Sequence, residues 1–240
     1  MGRGMASAIV LPRCETSLER ASLRTRLRAV DLRGPAGRIE ALLNEGASDS
    51  PVAALVCHPH PLGGGTMHNK VVYHAAKVMS APEWGLCWPV LRFNFRGTGR
   101  SEGRHDGTAE AADVAAAVDW LRSEYGVPVV IAGFSFGAAT ALAATCGNRS
   151  DVCALAALGL PIQGFGRTYS YPFVSRCTLP KLFLSGDRDR FAPLRELQQV
   201  VESAAHPRKL VLIPAADHFF NGCLPMMQQA LATWLKEQLQ

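Results

Sequence analysis

Residues 127–144 read VPVVIAGFSFGAATALAA. The first part is apolar and largely β-branched, which predicts a buried strand, and the alanine-rich last part predicts a helix. Between them, GFSFG at 133–137 fits the pattern G-x-S-x-G. Its two glycines permit a sharp turn that exposes the Ser135 hydroxyl above the first N–H groups of the helix. We therefore predict that Ser135 is a nucleophile; the alternative is a glycine-rich turn with a structural serine.

The alternation of strand and helix continues along the chain. Apolar runs predict strands at 52–57, 89–95, 128–134, 154–160, 181–185 and 209–214. Amphipathic spacing predicts helices at 111–121 and 227–235, the second with Pro225 in its first turn. Alternating segments at 23–32 and 38–43 surround a Gly-Pro-Ala-Gly turn and predict an antiparallel hairpin. The predicted fold class is α/β, with a mostly parallel twisted sheet, an N-terminal hairpin and helices on both faces.

The composition indicates a folded chain that has no membrane span and no affinity for nucleic acid. A hydrophobic share of 48% with 19% charged residues is typical of globular proteins. No run approaches the roughly eighteen apolar residues of a membrane helix. The net charge of +5 comes from dispersed basic residues, without the interleaved aromatic residues of a nucleic-acid platform. We predict a single domain at 23–240 after a loosely ordered lead-in at 1–22.

The seven cysteines predict a reducing environment. Their number is odd, they form no C-x-x-C pair, and several lie in apolar runs. This pattern favours buried thiols over a disulfide framework or a zinc site. We therefore expect a cytoplasmic protein. The cysteines are Cys14, Cys57, Cys87, Cys146, Cys153, Cys177 and Cys223.

In parallel sheets the functional site lies at the carboxyl ends of the strands, so the turns there are the places to search. The run GDRDRF at 186–191 follows a predicted strand and offers two carboxylates. We favour Asp189 as the partner of a histidine, because a turn opening at Gly186 brings its fourth residue round toward the site. Asp187 is the rival, with turn formation as its expected role.

His218 directly follows the last predicted strand, in ADHFF at 216–220. His206 instead lies beside Pro207 in a helix-to-strand connection, where we expect it to face solvent. The chain order Ser135, Asp189, His218 places a nucleophile, an acid and a base at three strand ends. These residues form the predicted catalytic triad.

The turn HPHPLGGG at 58–65 follows the first parallel strand and is expected to supply an oxyanion-hole N–H. Since prolines have no N–H, the candidates are His60, our first choice, and Leu62 or a glycine. The second donor is expected from Phe136, directly after the nucleophile. The alternative, a zinc pair at His58 and His60, lacks a carboxylate or histidine cluster to complete it.

The turn NFRGTGRS at 94–101 does not fit a dinucleotide fingerprint, because the glycine that follows Gly97 and Gly99 is Gly103, one residue late. It resembles instead the D-x-R-G-x-G-x-S turn of α/β-hydrolases, with Asn94 in place of the usual Asp. Together with HPHPLGGGTMHNKVV, GFSFG, GDRDRFAP and ADHFF, it is similar to a small family of cap-less bacterial α/β-hydrolases. The resemblance covers about residues 25 to 240.

The resemblance implies the triad named above, no cap domain, and neither a metal nor an organic cofactor. It does not imply a substrate. The serine nucleophile favours cleavage of carboxylic esters through an acyl-serine intermediate, and the missing cap favours short-chain, small-molecule substrates. Phe165 and Tyr171 lie in the segment where a cap would enter, and either wall an acyl pocket or merely cover the sheet. The alternatives are an acyltransferase or thioesterase with the same triad, a non-catalytic binding protein, and a metal-dependent hydrolase. The oligomeric state and the physiological substrate are not indicated.

Overall fold

A computed structural model describes residues 26–147 and 149–239, so the predicted lead-in at 1–22 lies outside the described residues. The strands are β1 (Leu27–Gly34), β2 (Gly37–Asn44), β3 (Ala53–Cys57), β4 (Val90–Phe93), β5 (Val129–Phe134), β6 (Val152–Leu158), β7 (Gln163–Gly164), β8 (Arg167–Thr168), β9 (Lys181–Gly186) and β10 (Arg208–Ile213). The α-helices are α1 (Lys70–Ser80), α2 (Glu110–Tyr125), α3 (Phe136–Thr145), α4 (Leu194–Ser203) and α5 (Leu224–Leu239).

Eight strands form one sheet in the order β1-β2-β4-β3-β5-β6-β9-β10 within the described part of the chain. The β1–β2 and β2–β4 pairs are antiparallel, and the remaining neighbours are parallel. This arrangement confirms the predicted fold class, including the hairpin that opens the sheet.

The helices cover both faces of the sheet, as the continuous apolarity of the central strands predicts. Side chains of β5 alternate between two cores: Ile131 packs with α2, α3 and α4, whereas Val130 packs with α1 and α5. None of the described helices is long and apolar enough to cross a membrane.

Two of the described helices, α1 and α4, were not predicted from the sequence. In α1, Val72, Ala76 and Met79 are buried at helical spacing, and the Asn69 side chain caps the start by accepting the Val71 N–H at 2.9 Å. In α4 only Leu197 and Val201 are buried, one turn apart. Such a short apolar stripe is a weak signal in sequence because two residues also fit a loop.

The connection between β6 and β9 confirms that the fold has no cap domain. All of residues 159–180 are described, and they hold only the β7–β8 hairpin and a 3₁₀ turn at Pro172–Arg176. No inserted domain therefore covers the carboxyl ends of the central strands on this side.

The expectation that all the cysteines are thiols is wrong for two of them. Cys146 at the end of α3 and Cys177 before β9 form a disulfide, with Cα atoms 4.7 Å apart. Sequence spacing could not reveal this pair, because only the fold brings the two segments together. Cys57 and Cys223 are buried free thiols, as expected. The cytoplasmic location, which rested on unpaired thiols, remains a prediction.

Candidate active site

The turn from β5 to α3 has the sharp geometry that its sequence predicts. Ser135 adopts φ 55° and ψ −121°, a conformation in which a non-glycine residue is strained. A Cβ on Gly133 would lie 2.4 Å from the Gly137 carbonyl oxygen, and one on Gly137 would lie 2.4 Å from the Cys57 carbonyl oxygen. Both glycines are therefore required by close backbone packing, which fixes Ser135 at the tip of the turn.

Three side chains from three strand ends meet at this tip. Ser135 Oγ lies 2.9 Å from Nε2 of His218, and Nδ1 of the same ring lies 2.7 Å from Oδ2 of Asp189. All three residues are less than a tenth exposed. Asp189 accepts the Nδ1 proton in this arrangement, which leaves Nε2 free to accept the serine proton.

The turn after β9 distinguishes the two carboxylates. Oδ1 of Asp189 accepts the N–H groups of Phe191 at 2.8 Å and Ala192 at 3.2 Å, which fixes the carboxylate toward His218. Ser185 Oγ donates to Asp189 Oδ2 at 3.3 Å. Asp187 is exposed, and its carboxylate accepts no hydrogen bond from a described residue. The turn-forming role that we expected for Asp187 thus belongs to Asp189.

His218 is held in place from its own loop and by neighbouring rings. Asp217 accepts the N–H groups of Phe219 and Asn221, each at 3.0 Å, and so closes the turn that carries His218. The Phe134 and Phe191 rings have centroids 5.0 Å and 4.6 Å from that of His218. His206, by contrast, is exposed, as expected.

His58 is tied to the backbone through both ring nitrogens. Nδ1 donates to the Pro59 carbonyl at 2.6 Å, and Nε2 accepts the Phe95 N–H at 3.0 Å. Burial, with the nearby His105 and His60, lowers the pKa of His58 to about 4. This neutral ring joins the end of β3 to the end of β4 and has no nitrogen left for a metal ion. Among the described residues, no three His, Cys, Asp or Glu side chains form a possible metal site.

The turn after β3 narrows the choice of oxyanion donors. The Leu62 N–H donates to Nδ1 of His60 at 3.2 Å, so Leu62 is not available as a donor. The Phe136 N–H, at the first position of α3, has no intrahelical partner. Neither this N–H nor that of His60 donates to another described residue.

A second histidine–carboxylate pair lies beside this turn and was missed by the sequence analysis. His105 Nδ1 lies 2.6 Å from Oε1 of Glu110, which is fully buried at the start of α2. The His105 ring meets those of His60 and Phe136 edge-on, with centroids 4.8 Å and 5.4 Å away. His105 thus packs against both residues that carry the free N–H groups.

The NFRGTGRS turn is filled by protein side chains rather than shaped for a phosphate. Arg96 pairs with buried Asp113 at 2.7 Å. Asn94 accepts the Met67 N–H at 2.9 Å and donates to Glu40 at 2.8 Å. The amide at position 94 therefore links two neighbouring segments, which an Asp in its place could do only as an acceptor.

The two predicted pocket residues, Phe165 and Tyr171, lie in different surroundings, one exposed and one buried. Tyr171 is 6% exposed and lines a cavity of about 220 Å³ beside α3, with its hydroxyl donating to the Pro161 carbonyl. Phe165 is 54% exposed and stacks on the His60 ring, with centroids 4.5 Å apart, at the mouth of the site. Tyr171 thus both lines a cavity and packs against the main core.

Residues 52–230 match the family described as an alpha/beta hydrolase domain. The chain belongs to the alpha/beta hydrolase family. It is 35% identical over 210 residues to an uncharacterized protein of Rickettsia prowazekii, covering 84% of this chain and 86% of that one.

Two solved structures are similar to this alpha/beta hydrolase. One is an α/β serine hydrolase without a lid from Xanthomonas campestris, at a TM-score of 0.75 and 30% identity, covering 90% of this chain and 96% of that one. The other is an alpha-beta serine hydrolase homologue from Coxiella burnetii, at a TM-score of 0.77 and 31% identity. The match covers 86% of this chain and 96% of that one. Together with the family, they support a hydrolase activity.

Proposed function

We propose that this alpha/beta hydrolase cleaves short-chain carboxylic esters through an acyl-serine intermediate. The observation that carries the proposal is the continuous contact from Ser135 Oγ through the His218 ring to the Asp189 carboxylate, at 2.9 Å and 2.7 Å. A nucleophile, a base and an orienting acid at these distances are the components of serine hydrolysis.

In the first half of the reaction, His218 Nε2 takes the proton of Ser135 while Oγ attacks the ester carbonyl carbon. Asp189 stabilises the imidazolium that forms, and the N–H groups of His60 and Phe136 donate to the oxyanion. Collapse of this intermediate breaks the bond to the alcohol oxygen, which receives the proton from Nε2. The products are an alcohol and an acyl-serine.

In the second half, His218 takes a proton from water as the water oxygen attacks the acyl carbon. The same two N–H groups stabilise the second oxyanion. When the intermediate collapses, the proton returns to Ser135 Oγ, and the carboxylic acid leaves. The open side of the site gives water access to the acyl-serine, which favours hydrolysis over transfer to an alcohol.

The neutral state of His60 suits its proposed role. Burial, with the charges of His105 and Arg167, lowers the pKa of the His60 side chain to about 4. Its Nδ1 therefore remains an acceptor for the Leu62 N–H at neutral pH. This hydrogen bond fixes the turn while the backbone N–H of His60 is left for the substrate.

The proposal is tested with a fluorophosphonate probe and a panel of 4-nitrophenyl esters. We expect the probe to add to Ser135 and to no other residue, as peptide mapping by mass spectrometry would show. Ser135→Ala and His218→Ala should both abolish labelling and ester cleavage. His206→Ala is the matched control, because its ring is exposed and outside the site. Labelling that persists in Ser135→Ala would refute the assignment.

A further inference from the structure

Arg167 lines two cavities, one beside Phe136, which follows the proposed nucleophile, and one beside Phe191, which packs against His218. The first, of about 220 Å³, is lined by Arg167 together with Phe136, Ala139, Thr140 and Tyr169. The second, of about 400 Å³, is lined by Arg167, Gly164, Arg190 and Phe191. Arg167 therefore contributes to both.

Each cavity has a lining residue that neighbours a member of the proposed triad. Phe136 follows Ser135 in the chain, and Ala139 is one turn along the same helix, its N–H donating to the Ser135 carbonyl at 3.1 Å. One helical turn spans about 5.4 Å, so the first cavity begins close to the nucleophile. On the other side, the Phe191 ring packs against His218 at 4.6 Å. Phe165, two residues before Arg167, also stacks on the His60 ring, so the hairpin that carries Arg167 borders the site.

The guanidinium of Arg167 is fixed in place but electrostatically unpaired. Nη1 donates to the Gly107 carbonyl at 3.0 Å, and the group lies 4.6 Å from the centroid of the Tyr169 ring. No carboxylate among residues 26–147 and 149–239 forms an ion pair with Arg167, and its Nε and Nη2 donate to none of them. A carbonyl anchor and an aromatic face hold an arginine without neutralising its charge.

The positive charge of Arg167 acts on the proposed active site. It is one of the causes that lower the pKa of His60, after burial and the charge of His105. The exposed Arg190 adds a second positive charge at the edge of the larger cavity. The approach to Ser135 from this side is therefore positive and partly apolar.

We propose that Arg167 binds a carboxylate of the substrate, so that the preferred esters carry an anionic group as well as the scissile bond. The remaining nitrogens of the guanidinium form the planar fork that a carboxylate accepts. The inference rests on the proposed esterase function, and it selects among esters. It assigns Arg167 a role in specificity rather than in the chemical step.

The experiment compares anionic and neutral esters of matched length by pH-stat. In the first pair, monomethyl adipate carries the charge on its acyl part and is compared with neutral methyl hexanoate. In the second pair, 6-acetoxyhexanoate carries the charge on its alcohol part and is compared with neutral hexyl acetate. In the wild-type protein we expect kcat/KM for the anionic member of at least one pair to exceed that of the neutral member by about 10- to 100-fold. The favoured pair identifies the side of the ester that carries the carboxylate.

Arg167→Gln should abolish this ratio, and Arg167→Lys should restore part of it by keeping the charge without the fork. Arg195→Gln is the matched control, since it removes the same charge from the exposed surface of α4 and should leave the ratio unchanged. No preference for an anionic ester in the wild type, or an unchanged ratio in Arg167→Gln, would overturn the inference and leave Arg167 as an anchor of the β7–β8 hairpin.

Calorimetry separates this inference from the proposed function. The Ser135→Ala protein is titrated with both anionic esters and with the neutral partner of each. Tighter binding of an anionic ester than of its partner, lost on adding Arg167→Gln, supports the carboxylate site even if the wild type cleaves no ester. Equal binding within both pairs refutes the site even if the wild type is an esterase.

Discussion

Asp189 Oδ2 lies 2.7 Å from His218 Nδ1, whereas Asp187, two residues earlier in the same turn, is exposed to solvent. The buried carboxylate accepts two backbone N–H groups as well as the histidine. The two residues are therefore a natural pair of test and control, of the same type and in the same loop.

We expect Asp189→Asn to lower kcat by about three to four orders of magnitude, because the amide favours the wrong histidine tautomer. Asp187→Asn should change kcat less than about twofold, since surface substitutions of this kind are close to neutral. Steady-state kinetics with a 4-nitrophenyl ester would measure both. A reversal of the two effects would assign the acid to Asp187.

The activity should not depend on a metal ion. Both ring nitrogens of His58 are occupied by backbone groups, so the His58-x-His60 pair has only one histidine to offer. We expect dialysis against EDTA to leave ester cleavage unchanged, with no stoichiometric zinc in the protein by elemental analysis. Loss of activity that zinc restores would favour a metal-dependent reaction.

His105 is expected to act as a positioning residue for the oxyanion donors. Its ring packs against His60 and Phe136, and its partner Glu110 is fully buried. Loss of a whole oxyanion donor costs about 10²–10³ in kcat, so loosening both should cost about 10- to 100-fold. We expect His105→Ala to lower kcat by that amount with little change in KM.

His105→Phe should restore much of the loss from His105→Ala, because an aromatic ring can keep the edge-on contacts. His206→Ala serves as the control for removing an exposed imidazole. Thermal unfolding of each variant would separate a local effect from loss of the fold. An equal fall in kcat for His105→Ala and His206→Ala would contradict the positioning role.

The strands and the meeting of Ser135, His218 and Asp189 could be predicted because they depend on local signals. Continuous apolar runs mark buried strands, and the parallel topology brings the strand ends around Ser135 to one edge of the sheet. The disulfide depends instead on a contact between Cys146 and Cys177, 31 residues apart. His105 and Glu110 are only five residues apart, but the position of their pair beside His60 depends on packing against the turn after β3. The Leu62 N–H was misjudged because its acceptor is a side-chain nitrogen, whose direction the sequence does not give.

The disulfide should contribute to stability. It closes a loop with a sequence separation of 31 between Cys146 and Cys177, for which chain-entropy arguments give about 3 to 4 kcal/mol. We expect the Cys146→Ala/Cys177→Ala double variant to lose up to about that free energy of unfolding in urea. Cys57 and Cys223 are free, so Cys223→Ala controls for the loss of a buried thiol.

Alkylation followed by mass spectrometry would check the bond directly. In denaturant without reductant, Cys146 and Cys177 should resist alkylation, and reductant should expose both. Full alkylation of the two residues without reductant would show that the bond does not form in the purified protein.

The length of the acyl chain is the remaining test of the proposed function. The mouth of the site is open, with Leu62 77% exposed and Phe165 54% exposed, and the cavity beside α3 holds only about 220 Å³. Each further methylene gains about 0.8 kcal/mol only while it is buried. We therefore expect kcat/KM to rise from acetyl to about butyryl or hexanoyl 4-nitrophenyl esters and then to fall. Because no cap covers the site, micelles should not activate the enzyme, and a kcat/KM that still rises at dodecanoyl would contradict the short pocket.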